Sequence, residues 1–288
     1  YADGTSEMYG ATDRDDFVGM EGGEDSGVEL LFLFPGDDRP SGVIVNVACP
    51  SQVLEARYVV SSDFMGALRR KLKGHFGESF HLLAQIGAAG DQSPRDLTRG
   101  YRQDEPDFWH EDGVEVASDR LLAAVLAGSE QASKRVERDV PFRTSVRRVS
   151  LPRRTVTPQE ADAARQVVEE LERVRDSQSA YRNFVADVRA NEKIRGRPGP
   201  YDSKLHHFVL IQNARAVLNR FLDQESTPHF DLHLHAVRVG EAVFVTNPFE
   251  LYLAYGQQLK ARSRARQTFV VQLAGGSGGY LPTPAAEQ

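Results

Sequence analysis

Ser93 is the residue whose sequence context best suits a nucleophile. It lies in the run Gly87-Ala88-Ala89-Gly90-Asp91-Gln92-Ser93-Pro94, which follows the apolar segment Phe80 to Ile86. Glycine permits close backbone approach in such a turn, and Pro94 pushes Ser93 toward an extended conformation, so the hydroxyl is presented by a stiff turn. Asp91 adds a carboxylate to the same turn. The pattern suits a serine site, but composition alone favours an ordinary strand-to-helix connection, because Gly, Asp, Ser and Pro are also the commonest turn formers.

Three further residues have side chains suited to metal binding or catalysis, and each also has an ordinary structural explanation. Cys49 follows an apolar run and precedes Pro50, and most free cysteines are small buried hydrophobes. Glu250 falls in the first turn of a predicted helix, where the helix dipole favours a carboxylate. Tyr280 ends a glycine-rich stretch and could be a core or rim aromatic.

The histidines offer a rival metal cluster. His229, Asp231, His233 and His235 share one parity, so on a strand all four would point to the same face. That spacing suits a metal site, although a solvated strand face shows the same pattern.

Other histidines are weaker candidates. His206 and His207 open a predicted helix, and adjacent helical residues point in different directions, so they make a poor ligand pair. His110, beside Trp109, could belong to a substrate loop or could be a plain surface histidine.

The elements that would hold these residues follow from hydrophobic periodicity and turn signals. Strands are predicted at 28–34, 43–48, 80–86, 143–151, 230–239, 242–246 and 268–273, and helices at about 64–72, 115–127, 157–174, 180–192, 208–222 and 249–259. The order strand, helix, strand predicts an α/β fold with a mixed sheet flanked by helices. We expect one domain over residues 1–288, with the charged segment 129–200 as a peripheral helical insertion.

Composition excludes several classes of protein. A net charge of −6 disfavours a nucleic-acid binder, and no apolar run approaches the roughly 20 residues that span a bilayer. A single cysteine excludes an internal disulfide. The chain begins with Tyr1 and shows no signal peptide there, which predicts a fragment of a longer protein. Composition does not indicate an oligomeric state.

Five short motifs occur in the order in which neutral/alkaline ceramidases carry them. They are Ala48-Cys49-Pro50, Ser61-Ser62-Asp63 with Gly66 further on, Gly90-Asp91-Gln92-Ser93-Pro94, Asn247-Pro248-Phe249-Glu250 and Tyr280-Leu281-Pro282-Thr283. The chain therefore resembles a divergent bacterial member of that family over all but the charged insertion. The resemblance implies a zinc ion held by two histidines, a glutamate and a tyrosine, cleavage of an amide, and a catalytic serine matched by Ser93. The glutamate matches Glu250 and the tyrosine matches Tyr280 or a residue near it.

The chain departs from that pattern at three points. Cys49 stands where the family has histidine before proline, and a thiolate can also bind zinc. No histidine occurs in residues 1–74, so the family's upstream histidine would lie in sequence that precedes Tyr1. Ser277 and Tyr280 stand where the family carries two tyrosines three residues apart. The resemblance also implies a secreted or periplasmic protein.

These observations together predict zinc-dependent hydrolysis of an amide-type bond in a small or lipid-like substrate. Ser93 and Asp91 are the predicted catalytic residues, with Asp91 better suited to shaping the turn, and Glu250, Tyr280 and Cys49 are the predicted zinc ligands. Two alternatives stay open. One is a binding protein that has kept the fold without the metal, and the other is a metal-independent serine hydrolase that pairs Ser93 with a histidine.

Overall fold

The computed structural model describes residues 1–8, 10–36, 39–55, 57, 60–99, 108, 110–191, 206–284 and 286. Its strands and helices follow in this order: β1 (Val28–Leu33), β2 (Gly42–Val47), α1 (Asp63–Phe76), β3 (His81–Ile86), α2 (Glu111–Ala132), β4 (Phe142–Pro152), α3 (Pro158–Val174), α4 (Ser177–Asn191), α5 (His207–Asp223), β5 (His229–Val239), β6 (Ala242–Thr246), β7 (Glu250–Leu251), α6 (Leu253–Arg262), β8 (Gln267–Val271) and β9 (Tyr280–Leu281).

The larger of two compact units comprises residues 1–54, 61–148 and 232–288. In it β2 pairs antiparallel with β1 and parallel with β3. A second sheet has the order β4-β5-β6-β8, in which β6 and β8 run parallel, and the short strands β7 and β9 form a third pair. The predicted α/β class with a mixed sheet and flanking helices is confirmed.

The alternating side chains of β2 divide the core of this unit between two faces. Val43, Val45 and Val47 pack with Phe64 and Leu68 of α1 in one cluster. Ile44, on the opposite face, contacts a second cluster that includes the stacked rings of Phe244 and Phe269, 4.3 Å apart. A Val- and Ile-rich strand buried on both faces explains why β2 lies at the centre of its sheet.

Hydrogen bonds join the carboxyl ends of β2 and β3 to β8. The Asn46 side-chain amide donates to the Val270 carbonyl at 2.7 Å, and the Gln272 backbone N–H donates to the Ile86 carbonyl at 3.1 Å. Asn46 is almost wholly buried. Because the two sheets are joined at these ends, the turn after β3 and the segment after β8 meet at one edge.

The smaller unit comprises residues 55–60 and 149–231 and contains α3, α4 and α5. α3 begins with a capping box, in which the Thr157 hydroxyl accepts the Glu160 N–H and the Glu160 carboxylate accepts the Thr157 N–H. α3 packs along α5, and the small buried residues Ala161 and Ala214 belong to these two helices. The unit's limits differ from the helical insertion predicted at 129–200, which stays a prediction.

Several local predictions are confirmed with shifted ends. The strands predicted at 28–34, 43–48, 230–239 and 242–246 form as β1, β2, β5 and β6, and the β5–β6 hairpin turns at Gly240, whose φ is +60°. α2 extends beyond 115–127 at both ends. On β4, Val146 is exposed while Val149 and Leu151 are partly covered. None of the described helices is long and apolar enough to cross a membrane.

Candidate functional site

Ser93 lies in the turn between β3 and the short 3₁₀ segment at 97–99, where it is partly buried. Its Oγ accepts a hydrogen bond from the Arg95 N–H at 3.2 Å. This bond fixes the side-chain rotamer and leaves the hydroxyl proton for another acceptor. Among the described residues no histidine ring bonds to Ser93, so a serine–histidine pair is not formed there.

Asp91 caps helix α6 from a distant part of the chain. Its Oδ1 accepts the Leu253 N–H at 2.7 Å, a bond that links residues 162 positions apart. A carboxylate at a helix N-terminus satisfies a free N–H group and complements the dipole. Asp91 therefore has a structural role at the start of α6.

Glu250 and Tyr280 are direct partners in the β7–β9 pair. Their Cα atoms are in register, and the Glu250 N–H donates to the Gly279 carbonyl at 2.8 Å. Glu250 is half-buried and Tyr280 is 51% exposed. In the described part of the chain, the Glu250 carboxylate takes part in no hydrogen bond or ion pair. The structure thus brings two of the predicted ligands side by side.

Gly90 places the Ser93 turn against β7. Its N–H donates to the Leu251 carbonyl at 2.9 Å, and a Cβ built on Gly90 would lie 2.4 Å from the Glu250 carbonyl oxygen. No side chain other than hydrogen fits this approach. The turn that carries Ser93 and the strand that carries Glu250 are therefore in direct backbone contact.

We expect Gly90→Ala to destabilise the protein by about 1–3 kcal/mol, because the new methyl group meets rigid backbone and β7 must shift. Gly74→Ala is the matched control: Gly74 is exposed in α1, a Cβ there meets nothing within 4 Å, and alanine should stabilise by about 0.5–1 kcal/mol. Urea unfolding of both variants measures the difference. Equal stability of the two would show that the approach at Gly90 is not tight.

The prediction that a helix begins at Phe249 with Glu250 in its first turn is wrong. Glu250 belongs to β7, and α6 begins at Leu253. The Asn247 Oδ1 accepts the Phe249 N–H, and the glycine-rich turn supplies backbone partners on the other side. Because these bonds hold 249–251 extended, the dipole explanation for Glu250 no longer applies.

Cys49 packs against the hydrophobic cluster formed by β2, α1 and α2. Burial raises the pKa of its thiol to about 12, and the neighbouring Asp63 carboxylate adds to the rise. Cys49 is partly buried, and packing of a free cysteine against apolar side chains is its ordinary structural state.

The donor atoms do not complete a zinc shell within the described residues. Zinc sites in proteins use at least three protein ligands, and the described part of the chain contains no group of three or more His, Cys, Asp and Glu residues that could hold a metal. Glu250 and Tyr280 supply two oxygen donors, while Cys49 lies in an apolar cluster. We therefore assign no chemical step to a metal.

The histidine-rich strand has the features of a solvated face. On β5, His229, Asp231 and His233 are exposed, whereas Leu232 between them is buried. Within the described residues, β5 contributes to no group of three or more His, Cys, Asp and Glu side chains that could hold a metal. His206 and His207 bond separately, to the Asp187 carboxylate and the Arg175 carbonyl, and His110 precedes α2 beside Trp109, which lies outside the described residues.

Two site features were not predicted from the sequence. The Gln272 side chain accepts hydrogen bonds from the Ala89 and Leu251 N–H groups. Lys260 of α6 bonds to Asp25 and Glu29. The segment before β1 also reaches the turn, since the Gln92 amide donates to the Gly23 carbonyl at 3.3 Å. These contacts link residues far apart in the chain, and no local motif marks them.

Comparison with known proteins gives a likeness of fold. No family model matches the sequence, and no curated protein matches it. A solved ceramidase complexed with C2 aligns with 96% of this chain and 45% of its own, at a TM-score of 0.55 and 14% identity. Neutral ceramidase from Pseudomonas aeruginosa aligns over 96% of this chain and 44% of its own chain, with a TM-score of 0.56 and 16% sequence identity.

These matches establish a ceramidase-like fold. The order of motifs noted in the sequence is consistent with it, while membership of the ceramidase family stays a prediction at such low identity. The chain spans less than half the length of the two solved structures. Their activity therefore bears on this chain as a proposal.

Proposed function

We propose that the chain is a hydrolase of lipid-like amides whose site lies where the Ser93 turn meets β7 and β9. The observation that carries the proposal is the contact of Gly90 with Glu250, together with the register of Glu250 and Tyr280. It puts a turn serine, a carboxylate without a partner among the described residues and a tyrosine at one edge of a ceramidase-like fold.

The proposed reaction is acyl transfer through Ser93. The Ser93 Oγ attacks the amide carbonyl carbon, its proton passes to a carboxylate, and the C–N bond breaks as the nitrogen takes up that proton. Water then hydrolyses the acyl-serine ester and restores the hydroxyl. Glu250 is the better base, because Asp91 is already engaged by the Leu253 N–H.

Exposed apolar side chains beside the site favour a substrate with an aliphatic portion. Leu273 is 53% exposed, and its N–H donates to the Phe249 carbonyl one residue before β7. Tyr280 is 51% exposed on the neighbouring strand. The solved relative was complexed with C2. An N-acylated amphiphile is therefore the substrate class to test first.

The direct test is amine release from N-acyl sphingoid amides of increasing acyl length, followed by mass spectrometry. We expect turnover by the wild-type chain, and a loss of about 10²–10⁴-fold in Glu250→Gln because that amide cannot accept the proton. Glu225→Gln removes an exposed carboxylate elsewhere and should retain full activity. Full activity of Glu250→Gln would exclude Glu250 as the base.

A zinc-dependent form of the same activity is the second proposal, favoured by the adjacency of Glu250 and Tyr280. It needs more ligands than the described residues supply. Zinc near one equivalent in purified wild type, and its loss in Glu250→Gln with the fold intact, would support it. No zinc and no turnover would instead favour a binding protein that has kept the fold.

A further inference from the structure

Gln272 is a polar residue that directly follows β8, and it is buried, with 8% of its surface exposed. Its Oε1 accepts the Ala89 N–H at 3.1 Å and the Leu251 N–H at 3.2 Å. Its own N–H donates to the Ile86 carbonyl at 3.1 Å. One residue thus bonds to the end of β3, to the turn after it and to β7.

These bonds reach the two segments that carry the proposed reacting groups, Ser93 and Glu250. Ala89 lies in the turn that carries Ser93, and Leu251 directly follows Glu250. The two bonds connect Gln272 to segments 183 and 21 residues away. A carbonyl oxygen has two lone pairs, and both are used here. A change at this oxygen should therefore alter the position of both segments together.

We infer that Gln272 is a positioning residue that sets the separation between the Ser93 turn and the Glu250 strand. The catalytic part of this inference rests on the proposed amide hydrolysis. The Gly90–Leu251 bond alone allows the turn to pivot, whereas the Gln272 oxygen adds a second point of attachment at Ala89. Two attachment points fix an orientation that one cannot. Such supporting residues act through placement and do not touch the substrate.

The test compares Gln272→Met, which removes the acceptor at similar size, with Gln272→Glu, which keeps an oxygen that accepts both N–H groups. Gln131→Met, exposed in α2, is the matched control. We expect hydrogen exchange to accelerate at Ala89 and Leu251 in Gln272→Met, with β1 and β2 unchanged. Gln272→Glu should keep exchange at both amides close to wild type. If Gln272→Met does not fold, Gln272→Asn provides the readout, because its shorter side chain cannot reach both N–H groups and exchange should still accelerate at Ala89 or Leu251.

Kinetics separate a positioning role from a purely structural one. In Gln272→Met we expect kcat to fall about 10²-fold with KM nearly unchanged, and Gln272→Glu to recover most of the loss. Unchanged exchange at Ala89 and Leu251 would overturn the inference, and so would faster exchange with full kcat. If wild type hydrolyses no amide, the proposed function fails. The exchange data then still decide whether Gln272 joins the two segments.

Discussion

Replacing Ser93 with alanine is expected to lower amide hydrolysis by at least about 10³-fold while leaving the fold intact. The loss follows because the substitution removes the atom that attacks the carbonyl, and removal of a covalent nucleophile has effects of this size or larger. The fold loses one partly buried hydrogen bond, from the Arg95 N–H to Oγ, which costs about 1 kcal/mol. Single-turnover kinetics and urea unfolding on the same preparation measure the two quantities.

Ser226→Ala provides the control for this variant. The Ser226 Oγ also makes a local bond to a turn, donating to the Asp223 carbonyl at 3.0 Å, and it is exposed. Its removal should leave activity unchanged. If Ser93→Ala retained turnover, the attacking group would have to be water and the serine mechanism would be wrong. Loss of turnover together with a large loss of stability would make Ser93 a folding residue.

Elements that depend on neighbouring residues could be predicted from the sequence. The start of α3 is specified by Thr157, Pro158 and Glu160 within four positions, and the β5–β6 turn is specified by Gly240, whose positive φ is easily adopted by glycine. The α/β class follows from the alternation of such elements. In these cases the determining interactions lie within a few residues.

The start of α6 could not be predicted because its capping group lies in another part of the chain. The apolar pattern from Phe249 onward fits a helix, yet Asn247 and the glycine-rich turn hold residues 249–251 extended. The Leu253 N–H, which is the first of α6, donates to the Asp91 carboxylate 162 residues away. A tertiary contact therefore determined where the helix begins, and with it the conformation of Glu250.

The candidate site was predictable only where its residues lie in local motifs. Its turn serine and carboxylate stood in recognisable motifs, and the structure places their segments in contact. The two hydrogen bonds that Gln272 accepts from Ala89 and Leu251 have no local sequence signature, since a single glutamine after a strand is common in proteins. Cys49 shows the opposite case, in which a motif predicted a ligand and the thiol packs against an apolar cluster.

The segment before β1 is attached to the site by hydrogen bonds and ion pairs. The Gln257 amide donates to the Glu24 carbonyl at 3.4 Å, and Gly23 accepts from Gln92 in the Ser93 turn. The Lys260 ammonium bonds to Asp25 at 2.6 Å and to Glu29. All three charged side chains are less than one quarter exposed. This ion cluster is therefore the strongest attachment of the segment to α6.

Lys260→Met is expected to destabilise the protein by about 3–5 kcal/mol, because it leaves two carboxylates close together and partly buried without their cation. Lys73→Met is the control: its ion pair with Glu78, at 3.6 Å, is exposed and should contribute about 0–1 kcal/mol. Urea unfolding near pH 7 gives both values. A loss below about 1 kcal/mol in Lys260→Met would show that the cluster adds little to stability.

The stability difference between wild type and Lys260→Met should depend on pH. Although burial opposes both shifts, the hydrogen bond with Lys260 lowers the pKa of Asp25, and the bonds with Asp25 and Glu29 raise the pKa of Lys260. Because the Asp25 pKa is depressed in the fold, its contribution is present above about 3.8 and is lost as pH falls through the folded value. Because the Lys260 pKa is raised, its contribution is present below about 10.5 and is lost as pH rises through the folded value. Unfolding curves from acid to alkali should therefore show a difference that is constant across neutral pH and shrinks at both ends, and a difference independent of pH would contradict the ionic origin of the attachment.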